Sequence, residues 1–244
     1  MSYSKIKEIT TDLWGKYHVR FLANADVNII VGINGSGKTT LLDEIYKLAL
    51  DNCNDKNQVV FVPSMDNIAM RDKRKVANAL TQELEFYIFD MKIGPSMMYY
   101  RMSMIDATAE KQTETKARIE NFCSIINTLF RETGKHIEIE GNKFNVVSKG
   151  QIIPTGALSS GEKQMLLILL RVFLMDGQEA FVLLDEPENS LDISWQYELI
   201  NTLVKLNPNA QYFITTHSPS IFGDGWGDKI IYMEDVTTPI ERRI

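Results

Sequence analysis

Apolar and polar positions alternate in blocks along the chain. Residues 27–31, 180–184 and 211–216 are short, nearly unbroken apolar runs, the pattern of strands that are buried on both faces. Helical patterns occupy residues 39–49 and 164–175. Strands and helices that alternate in this way predict an α/β fold, with a central sheet flanked by helices.

The segment between residues 66 and 150 has a different pattern. It is mainly helical and rich in methionine, and it holds no heptad repeat long enough for a coiled coil. We therefore predict one domain over residues 1–244, with an inserted helical lobe at 66–150 that ends in a small β hairpin. The elements predicted in this region are helices at 76–90 and 114–132, hairpin strands at 136–139 and 143–147 around Gly141-Asn142, and a strand at 151–153.

A glycine-rich loop directly follows the first apolar run. It reads Gly-Ile-Asn-Gly-Ser-Gly-Lys-Thr over residues 32–39, a G-x-x-x-x-G-K-T pattern. A strand, a glycine turn and a helix start aim several backbone N–H groups and the positive end of a helix dipole at one point, which suits a polyphosphate. Lys38 supplies a charge for the β and γ phosphates, and the Thr39 hydroxyl is a ligand for Mg²⁺. The predicted nucleotide contacts of the loop are Asn34, Gly35, Ser36, Gly37, Lys38, Thr39 and Thr40.

The second apolar run ends in carboxylates. Residues 180–184 lead directly into Asp185-Glu186-Pro187. Ligands of open α/β sheets bind at the carboxyl ends of the strands. Asp185 is therefore predicted to hold Mg²⁺, and Glu186 to act as general base on the attacking water. Either motif alone could be an ordinary turn, but the two together favour a site for ATP and Mg²⁺.

A third motif precedes the long apolar helix. Leu-Ser-Ser-Gly-Glu occupies residues 158–162. Ser159 is placed to cap the helix and to leave free N–H groups pointing outward, which would make a second anion site. Ser159 and Glu162 also fit an ordinary capping box, so the motif alone leaves both interpretations open. The predicted nucleotide contacts here are Ser159, Ser160, Gly161 and Glu162.

The third apolar run ends in His217, which completes an ordered set of motifs. The loop at 32–39, the motif at 158–162, the acidic segment at 185–192 and His217 follow the order Walker A, signature, Walker B with D-loop, and switch histidine. In this order they resemble the ABC-type ATPase family over residues 27–219. The resemblance implies a P-loop NTPase with an ABC-ATPase head and a mixed central sheet. It also implies a catalytic contact from His217 to the γ phosphate or the lytic water.

The wording of the motifs resembles one branch of that family. Transporter nucleotide domains usually have Leu-Ser-Gly-Gly-Gln as the signature and Thr-His-Asp around the histidine. This chain has Leu-Ser-Ser-Gly-Glu at 158–162 and Thr-His-Ser at 216–218. Asp-Glu-Pro-Glu-Asn-Ser-Leu at 185–191 resembles the RecF, OLD and structural-maintenance-of-chromosomes branch, with the small AAA-family ATPases of bacterial phage-defence systems. The resemblance implies that Ser159 of one chain closes on the ATP of another, in a homodimer or a higher even oligomer. It further implies control of a separate effector such as a nuclease or toxin.

Two positions depart from the pattern of the family. Ser64 follows a predicted strand at 59–63 where a glutamine is usual, and Asp192 stands where defence-type relatives often carry histidine. A serine is too short to bridge Mg²⁺ and the attacking water as the glutamine does. We therefore expect ATP turnover that is slow or depends on a partner.

Composition favours a cytoplasmic protein that does not enter the membrane. The net charge of −6 does not favour strong nucleic-acid binding, although the basic stretch at 71–75 leaves that question open. Cys53 and Cys123 predict neither a zinc site nor a disulfide framework. The longest apolar helix pattern is too short for a membrane span, and the polar residues 1–10 do not resemble a signal peptide.

Other functions fit the same motifs. The chain could be the nucleotide-binding subunit of an ABC transporter, a DNA-repair ATPase of the RecF type, or a scaffold that holds nucleotide without hydrolysing it. Trp14 and Tyr17 are candidates for stacking on adenine, although aromatic residues on N-terminal strands more often belong to a core.

Overall fold

Strands and helices alternate along most of the protein. The computed structural model describes residues 3–64, 73–91, 95–140, 143–223 and 225–240, and for residues 73–78 the backbone only. In chain order the elements are β1 (Glu8–Leu13), β2 (Tyr17–Leu22), β3 (Val27–Val31), α1 (Lys38–Asp51), β4 (Val59–Val62), α2 (Lys73–Phe89), α3 (Met97–Met102), α4 (Ala109–Leu129), β5 (Lys135–Glu140), β6 (Lys143–Ser148), β7 (Gln151–Ile153), α5 (Ser160–Phe173), β8 (Phe181–Asp185), α6 (Ile193–Leu206), β9 (Gln211–Thr216), β10 (Ile230–Tyr232), α7 (Met233–Val236) and β11 (Thr237–Pro239). Short 3-10 helices cover Lys56–Gln58, Phe130–Thr133, Thr155–Ala157 and Gly227–Lys229.

A parallel sheet forms the centre of the first of two compact units, Met1–Ile68 with Met175–Ile244. Its strand order is β10-β3-β9-β8-β4, and each neighbouring pair is parallel. The central strands are mostly apolar, and Ile29, Leu183 and Phe213 are fully enclosed. Because the strands are parallel, the carboxyl ends of β3, β8 and β9 meet at one edge of the sheet.

A separate antiparallel sheet belongs to the same unit, with the order β1-β2-β11. Ile9, Leu13 and Val19 alternate with polar residues along β1 and β2, and they join the core formed with α1. The pairing of β11 with β2 sets Pro239 opposite Tyr17. The end of the described chain therefore lies beside the turn between β1 and β2.

The second unit, Ala69–Leu174, is mainly helical. Phe173 of α5 contacts the ring of Phe122 on α4, with 4.7 Å between ring centroids, and the ring of Tyr100 on α3, at 5.3 Å. Arg171 lies over the Tyr87 ring of α2, 5.1 Å from its centroid. β5, β6 and β7 form a small antiparallel sheet of their own.

The predicted fold class is confirmed, with one difference in the sheet. The antiparallel strands form sheets of their own, so the described central sheet is wholly parallel and not mixed. The second unit contains most of the lobe predicted at 66–150 and continues through α5 to Leu174. The lobe boundaries themselves stay a prediction.

The predicted elements differ from the observed ones mainly at their ends. α4 begins at Ala109 and not at residue 114, because Thr108 caps it by accepting from the N–H of Lys111 at 3.4 Å. The hairpin strands and the strand at 151–153 are confirmed. The predicted turn at Gly141-Asn142 lies outside the described residues, as do residues 71–72 of the basic stretch and the side chains of 73–75.

Candidate nucleotide-binding site

The glycine-rich loop joins β3 to α1 in a conformation that only glycine allows at two positions. Gly37 has a φ of 94°, and a Cβ there would lie 2.9 Å from the Trp14 ring. A Cβ on Gly32 would lie 2.6 Å from the Ser36 Oγ. The loop therefore packs closely against the Trp14 ring and its own Ser36 side chain, and a larger residue at Gly37 or Gly32 would displace them. Its remaining predicted contacts are exposed or half-buried: Asn34, Gly35 and Thr40.

Lys38 is held inside this loop. Its side chain is only 4 % exposed, and its ammonium donates to the carbonyl of Gly32 at 2.9 Å and to that of Ile33 at 3.3 Å. The same nitrogen lies 3.4 Å from Oε1 of Glu186. The ammonium is thus fixed between the loop and the end of β8, where it can meet a phosphate.

The Thr39 hydroxyl meets the carboxylate of Asp185. Thr39 Oγ1 lies 3.0 Å and 3.2 Å from the two oxygens of Asp185, which is itself 2 % exposed. Burial and the charge of Asp185 raise the pKa of Asp43, one turn further along α1. A hydroxyl and one carboxylate are the hard oxygen donors with which proteins hold Mg²⁺ beside substrate phosphates, so these residues fit that ion. The described residues contain no cluster of three or more His, Cys, Asp or Glu that would suit another metal.

Glu186 and His217 lie next to each other at the ends of β8 and β9. Glu186 has a φ of 46°, and its N–H donates to the carbonyl of Thr215 at 3.0 Å. Nδ1 of His217 lies 3.6 Å from Oε1 of Glu186 and 3.5 Å from Oε1 of Glu188. The His217 side chain is 45 % exposed, so the ring is in contact with both carboxylates and with solvent.

Two threonines that the sequence interpretation missed join these strand ends. Thr215 Oγ1 donates to Asp185 at 2.6 Å, and Thr216 Oγ1 donates to Glu188 at 2.6 Å. Consecutive residues of a strand point to opposite faces, so the pair secures β9 to the segment after β8 on both sides. The signal was present in the sequence as Thr-Thr directly before His217, and in the second glutamate of 185–188.

The two departures from the family pattern have structural partners in the first unit. Ser64 is 3 % exposed and accepts a hydrogen bond from Asn189 Nδ2 at 3.1 Å. Asp192 caps α6 by accepting from the N–H of Ser194 at 2.9 Å. Hydrogen bonds from Ser194 hold the pKa of Asp192 below its ordinary value.

A cavity of about 620 Å³ lies beside the loop, within the first unit. Trp14 and Tyr17 line it, together with His217 and residues of the loop. Trp14 is 55 % exposed and Tyr17 is 39 % exposed, so neither belongs to the core, where aromatic residues on N-terminal strands more often lie. Their rings meet edge to face, at 82° and 6.3 Å.

The signature residues lie in the second unit, at the start of α5. Ser159 accepts from the N–H of Glu162 at 3.2 Å, and Glu162 accepts from the N–H of Ser159 at 2.7 Å, which is a capping box. Ser159 and Ser160 are exposed, whereas Gly161 and Glu162 are buried. The structure thus brings together Lys38, Thr39, Asp185, Glu186 and His217 in the first unit, and the signature residues in the second.

Glu162 is bound from the inside. The ammonium of Lys135 donates to its two oxygens at 2.9 Å and 2.8 Å. Burial by itself would raise the pKa of Glu162, but the hydrogen bonds from Lys135 and from the N–H of Ser159 outweigh it and lower the pKa below the ordinary value. The Glu162 carboxylate, predicted to contact nucleotide, is therefore already bound by Lys135 and the Ser159 N–H within its own unit.

Residues 67–223 match the model of a protein family described as "AAA domain, putative AbiEii toxin, Type IV TA system". The match covers well over half of the chain and includes the signature, the acidic strand end and His217. The chain belongs to this family. Together with the fold, this membership confirms the resemblance to the ABC-type ATPases that the motifs indicated.

A curated relative and two solved structures extend the comparison. The chain is 28 % identical over 200 residues to the glutathione/L-cysteine transport system ATP-binding/permease protein CydC of Bacillus subtilis. The alignment covers 82 % of this chain and 31 % of that protein, so the chain spans about a third of the relative's length.

The solved structures show the fold alone. The structure of an SmcHead bound to the C-winged helix domain of ScpA is similar with a TM-score of 0.52 and 16 % identity, covering 92 % of this chain and 95 % of that one. Stu0660 of Streptococcus thermophilus is similar with a TM-score of 0.50 and 13 % identity, covering 97 % and 76 %. Within the described residues, none of the helices combines the length and the apolar character needed to cross a membrane.

Proposed function

We propose that this protein hydrolyses ATP at the joined ends of β3, β8 and β9. The observation that supports this best is the placement of Lys38, Glu186 and His217 around one point. Oε1 of Glu186 lies 3.4 Å from the Lys38 ammonium and 3.6 Å from Nδ1 of His217. A cation can hold the phosphates, a carboxylate can accept a proton from water, and an imidazole can contact the γ phosphate or that water, so the three groups suit phosphoryl transfer to water. The glycine-rich loop supplies the phosphate cradle beside them.

Each side chain has a role in this proposal. Thr39 and Asp185 hold Mg²⁺, which neutralises charge on the phosphates when it is bound. Lys38 orients the β and γ phosphates through its buried ammonium. Glu186 accepts the proton of the attacking water, and His217 contacts the γ phosphate or that water.

The cavity beside the loop is the proposed place for the base. Trp14 carries an exposed ring directly at the Gly37 end of the loop, and Tyr17 stands edge-on to it. An exposed aromatic face next to a phosphate cradle suits stacking of an adenine. Every base has a π-face, so other bases could stack there too. Stacking therefore supports affinity more than it supports the choice of base.

Two chains are proposed to close around two ATP molecules. Ser159 uses one acceptor position to cap α5, and its O–H remains available as a donor at an exposed position. The N–H groups of Ser160 and Gly161 in the first turn of α5 add the positive end of a helix dipole, whereas the N–H of Glu162 is taken by the Ser159 cap. In a head-to-tail pair these groups of one chain would meet the phosphates held by Lys38 of the other.

Phosphate release tests the catalytic part of the proposal. The unmodified protein should release phosphate from MgATP. The rate should be low, because Ser64 is too short to bridge Mg²⁺ and the attacking water as a glutamine would. Glu186→Gln should bind ATP as before and lose at least about 100-fold in turnover, because only the proton acceptor is removed. Asp26→Asn, a carboxylate change at the opposite end of β3, is the control that should leave turnover unchanged. Equal rates for Glu186→Gln and the unmodified protein would reject the assignment of the base.

We further propose that ATP binding controls a separate effector in anti-phage defence, in the cytoplasm. The family description, which refers to a toxin of a Type IV TA system, supports this direction. Bacteria that express the gene with its neighbours should plate phage less efficiently than bacteria with Lys38→Ala in the same genes. Equal plating would reject the defence role and leave the ATPase proposal unaffected.

A second function has one observation in its favour. The similarity to CydC, a transport system ATP-binding/permease protein, would fit a nucleotide-binding subunit that works with a permease. Extraction from cells distinguishes the two: a transport subunit should purify with membrane protein in detergent, and a defence ATPase should purify without it. A RecF-type role in DNA repair predicts instead that DNA stimulates phosphate release.

A further inference from the structure

Glu188 has no role in the proposed reaction, yet its carboxylate is buried and held by specific hydrogen bonds. It is 6 % exposed. Its Oε1 accepts from Thr216 Oγ1 at 2.6 Å and from the backbone N–H of His217 at 3.0 Å. Its Oε2 is enclosed and has no hydrogen-bond partner among the described residues. A buried carboxylate costs free energy unless it is bound, so the contacts to β9 are what hold it there.

The same carboxylate faces the imidazole ring. Glu188 Oε1 lies 3.5 Å from Nδ1 of His217, whose side chain is 45 % exposed, whereas that of Glu188 is buried. Glu188 therefore contacts His217 at two points, the backbone N–H and the ring. Its neighbour Glu186 approaches the same Nδ1 at 3.6 Å.

The two carboxylate oxygens near Nδ1 favour one tautomer of the ring. At 3.5 and 3.6 Å the contacts are longer than hydrogen bonds, but carboxylate oxygens attract an N–H and repel a nitrogen lone pair, so the tautomer with the hydrogen on Nδ1 is favoured. Nε2, on the far side of the ring, is then the nitrogen presented to a ligand. A carboxylate that orients a histidine in this way sets both the tautomer and the direction of the ring.

We propose that Glu188 is a positioning residue for His217. It holds the backbone and the Nδ1 side of the ring, so that Nε2 is aimed at the γ phosphate or the attacking water. Thr216 completes the arrangement by orienting the Glu188 carboxylate. The proposal rests on the ATPase activity proposed for the site, and it concerns turnover and not the affinity for ATP.

A purely structural role for Glu188 predicts different behaviour. The backbone carbonyl of Glu188 also accepts from the N–H of Leu191 at 2.9 Å, which shapes the turn after β8. That bond survives a change of side chain. Glu188→Gln keeps the size of the side chain and an oxygen for Thr216 and the His217 N–H, but it removes the charge that faces Nδ1. The comparison of Gln with Ala therefore separates positioning from packing.

A double-mutant cycle with His217 tests the proposal in the full chain. We expect Glu188→Gln to lower kcat about 10-fold and Glu188→Ala about 100-fold, with the Kd for ATP and the melting temperature of the Gln variant unchanged. In a His217→Ala background, Glu188→Gln should cause no further loss, because the residue on which it acts is absent. Asp26→Asn is the carboxylate-to-amide control. Unchanged kcat in Glu188→Gln, or losses that multiply in the double variant, would overturn the proposal.

The state of the ring provides a readout that needs no hydrolysis. The chain has only three histidines, so single substitutions assign their imidazole ¹⁵N signals. In the unmodified protein Nδ1 of His217 should carry a proton, and in Glu188→Ala the ring should shift toward the other tautomer. A ring protonated on Nε2 alone in the unmodified protein would overturn the proposal. If the unmodified protein released no phosphate, the proposed ATPase function would fail, and this spectrum would still decide the role of Glu188.

Discussion

The two regions proposed to contact phosphate are built in opposite ways. In the first unit, Lys38, Asp185 and Glu188 are buried and bound by neighbouring groups at distances of 2.6 to 3.4 Å. In the second unit, Ser159 and Ser160 are exposed at a helix start, and Gly161 and Glu162 behind them are buried. One region is preorganised by its own strands, and the other presents donors outward.

The difference indicates that the two regions have different functions. A phosphate site made of buried, mutually bonded groups needs little reorganisation when the nucleotide arrives, so it should determine binding and chemistry. Exposed donors at a helix start make few contacts within their own chain, so they should determine association with another chain. Substitutions in the two regions should therefore change different measurements.

Lys38→Ala should have the largest effect. It removes the buried charge of the loop, and we expect the affinity for ATP to fall at least about 100-fold by calorimetry. Lys47→Ala, on the exposed side of the same helix and paired with Glu44, should bind ATP normally. Normal binding by Lys38→Ala would show that the loop is not the nucleotide site.

Ser159→Arg should separate association from binding. A long cation at the exposed start of α5 should prevent a second chain from closing, while each chain still binds ATP with unchanged affinity. Light scattering with ATP in a Glu186→Gln background should give a mass of two chains, and of one chain when Ser159→Arg is added. Ser159→Thr keeps the hydroxyl and the cap, so it should still form the pair. If the mass of the Arg variant doubled with ATP, the signature would not lie at the interface between chains.

Trp14→Ala should weaken ATP binding roughly tenfold, since stacking on one base is worth about 1–3 kcal/mol. Trp14→Phe keeps an aromatic face and should retain most of the affinity. The affinity for free triphosphate should be the same in all three proteins. An equal loss for triphosphate would mean that Trp14 supports the loop through Gly37 and does not contact the base.

Thr215→Val should change the dependence on Mg²⁺ while leaving the fold intact. Valine has the shape of threonine but cannot donate to Asp185, and the loss of such an orienting bond weakens a metal site by about 10-fold. Turnover measured against Mg²⁺ concentration should show this shift in Thr215→Val. Thr216→Val, its neighbour on the opposite face, should leave the Mg²⁺ dependence unchanged and lower the maximal rate. Identical Mg²⁺ curves for Thr215→Val and the unmodified protein would contradict the role given to Asp185.

Glu162→Gln should have the smallest effect, and the effect should depend on pH. The pKa of Glu162 is lowered in the folded protein, so its ionised form stabilises the fold above the ordinary value of 4.5, and this stabilisation is lost as the pH falls below it. We expect the variant to be less stable by about 1–3 kcal/mol at pH 7, where a hydrogen bond to a charged group is lost. Urea unfolding should show the gap narrowing as the pH falls toward 4. A gap that is constant with pH would show that the charge of Glu162 does not stabilise α5.

The sequence predicted the parts of this protein that repeat a regular pattern. The apolar runs of β3, β8 and β9 were sufficient for the fold class. The order of the motifs behind them also indicated that Lys38, Asp185 and His217 lie at one edge of the sheet, whereas the roles of these residues stay predictions. Local side-chain chemistry also predicted the capping box of Ser159 and Glu162, because both partners lie three residues apart.

The pattern of apolar and polar residues could not predict contacts between segments that are far apart in the sequence. Glu188 and Thr216 are 28 residues apart, and nothing in the periodicity of either segment pairs them. Trp14 follows the buried Leu13 in a tight turn, with a φ of 54°, and its place beside Gly37 depends on how this turn packs against the glycine-rich loop, which no local pattern shows. Tertiary placement decided both cases.

Mixing two inactive variants tests the central claim, that one site is completed by two chains. Lys38→Ala lacks a working loop and Ser159→Arg lacks a working signature. A mixed pair still joins the intact loop of one chain to the intact signature of the other. An equal mixture should therefore regain phosphate release, at most about a quarter of the unmodified rate, since random pairing makes half of the pairs mixed and each mixed pair has one intact site. A mixture no more active than its separate components would contradict the claim.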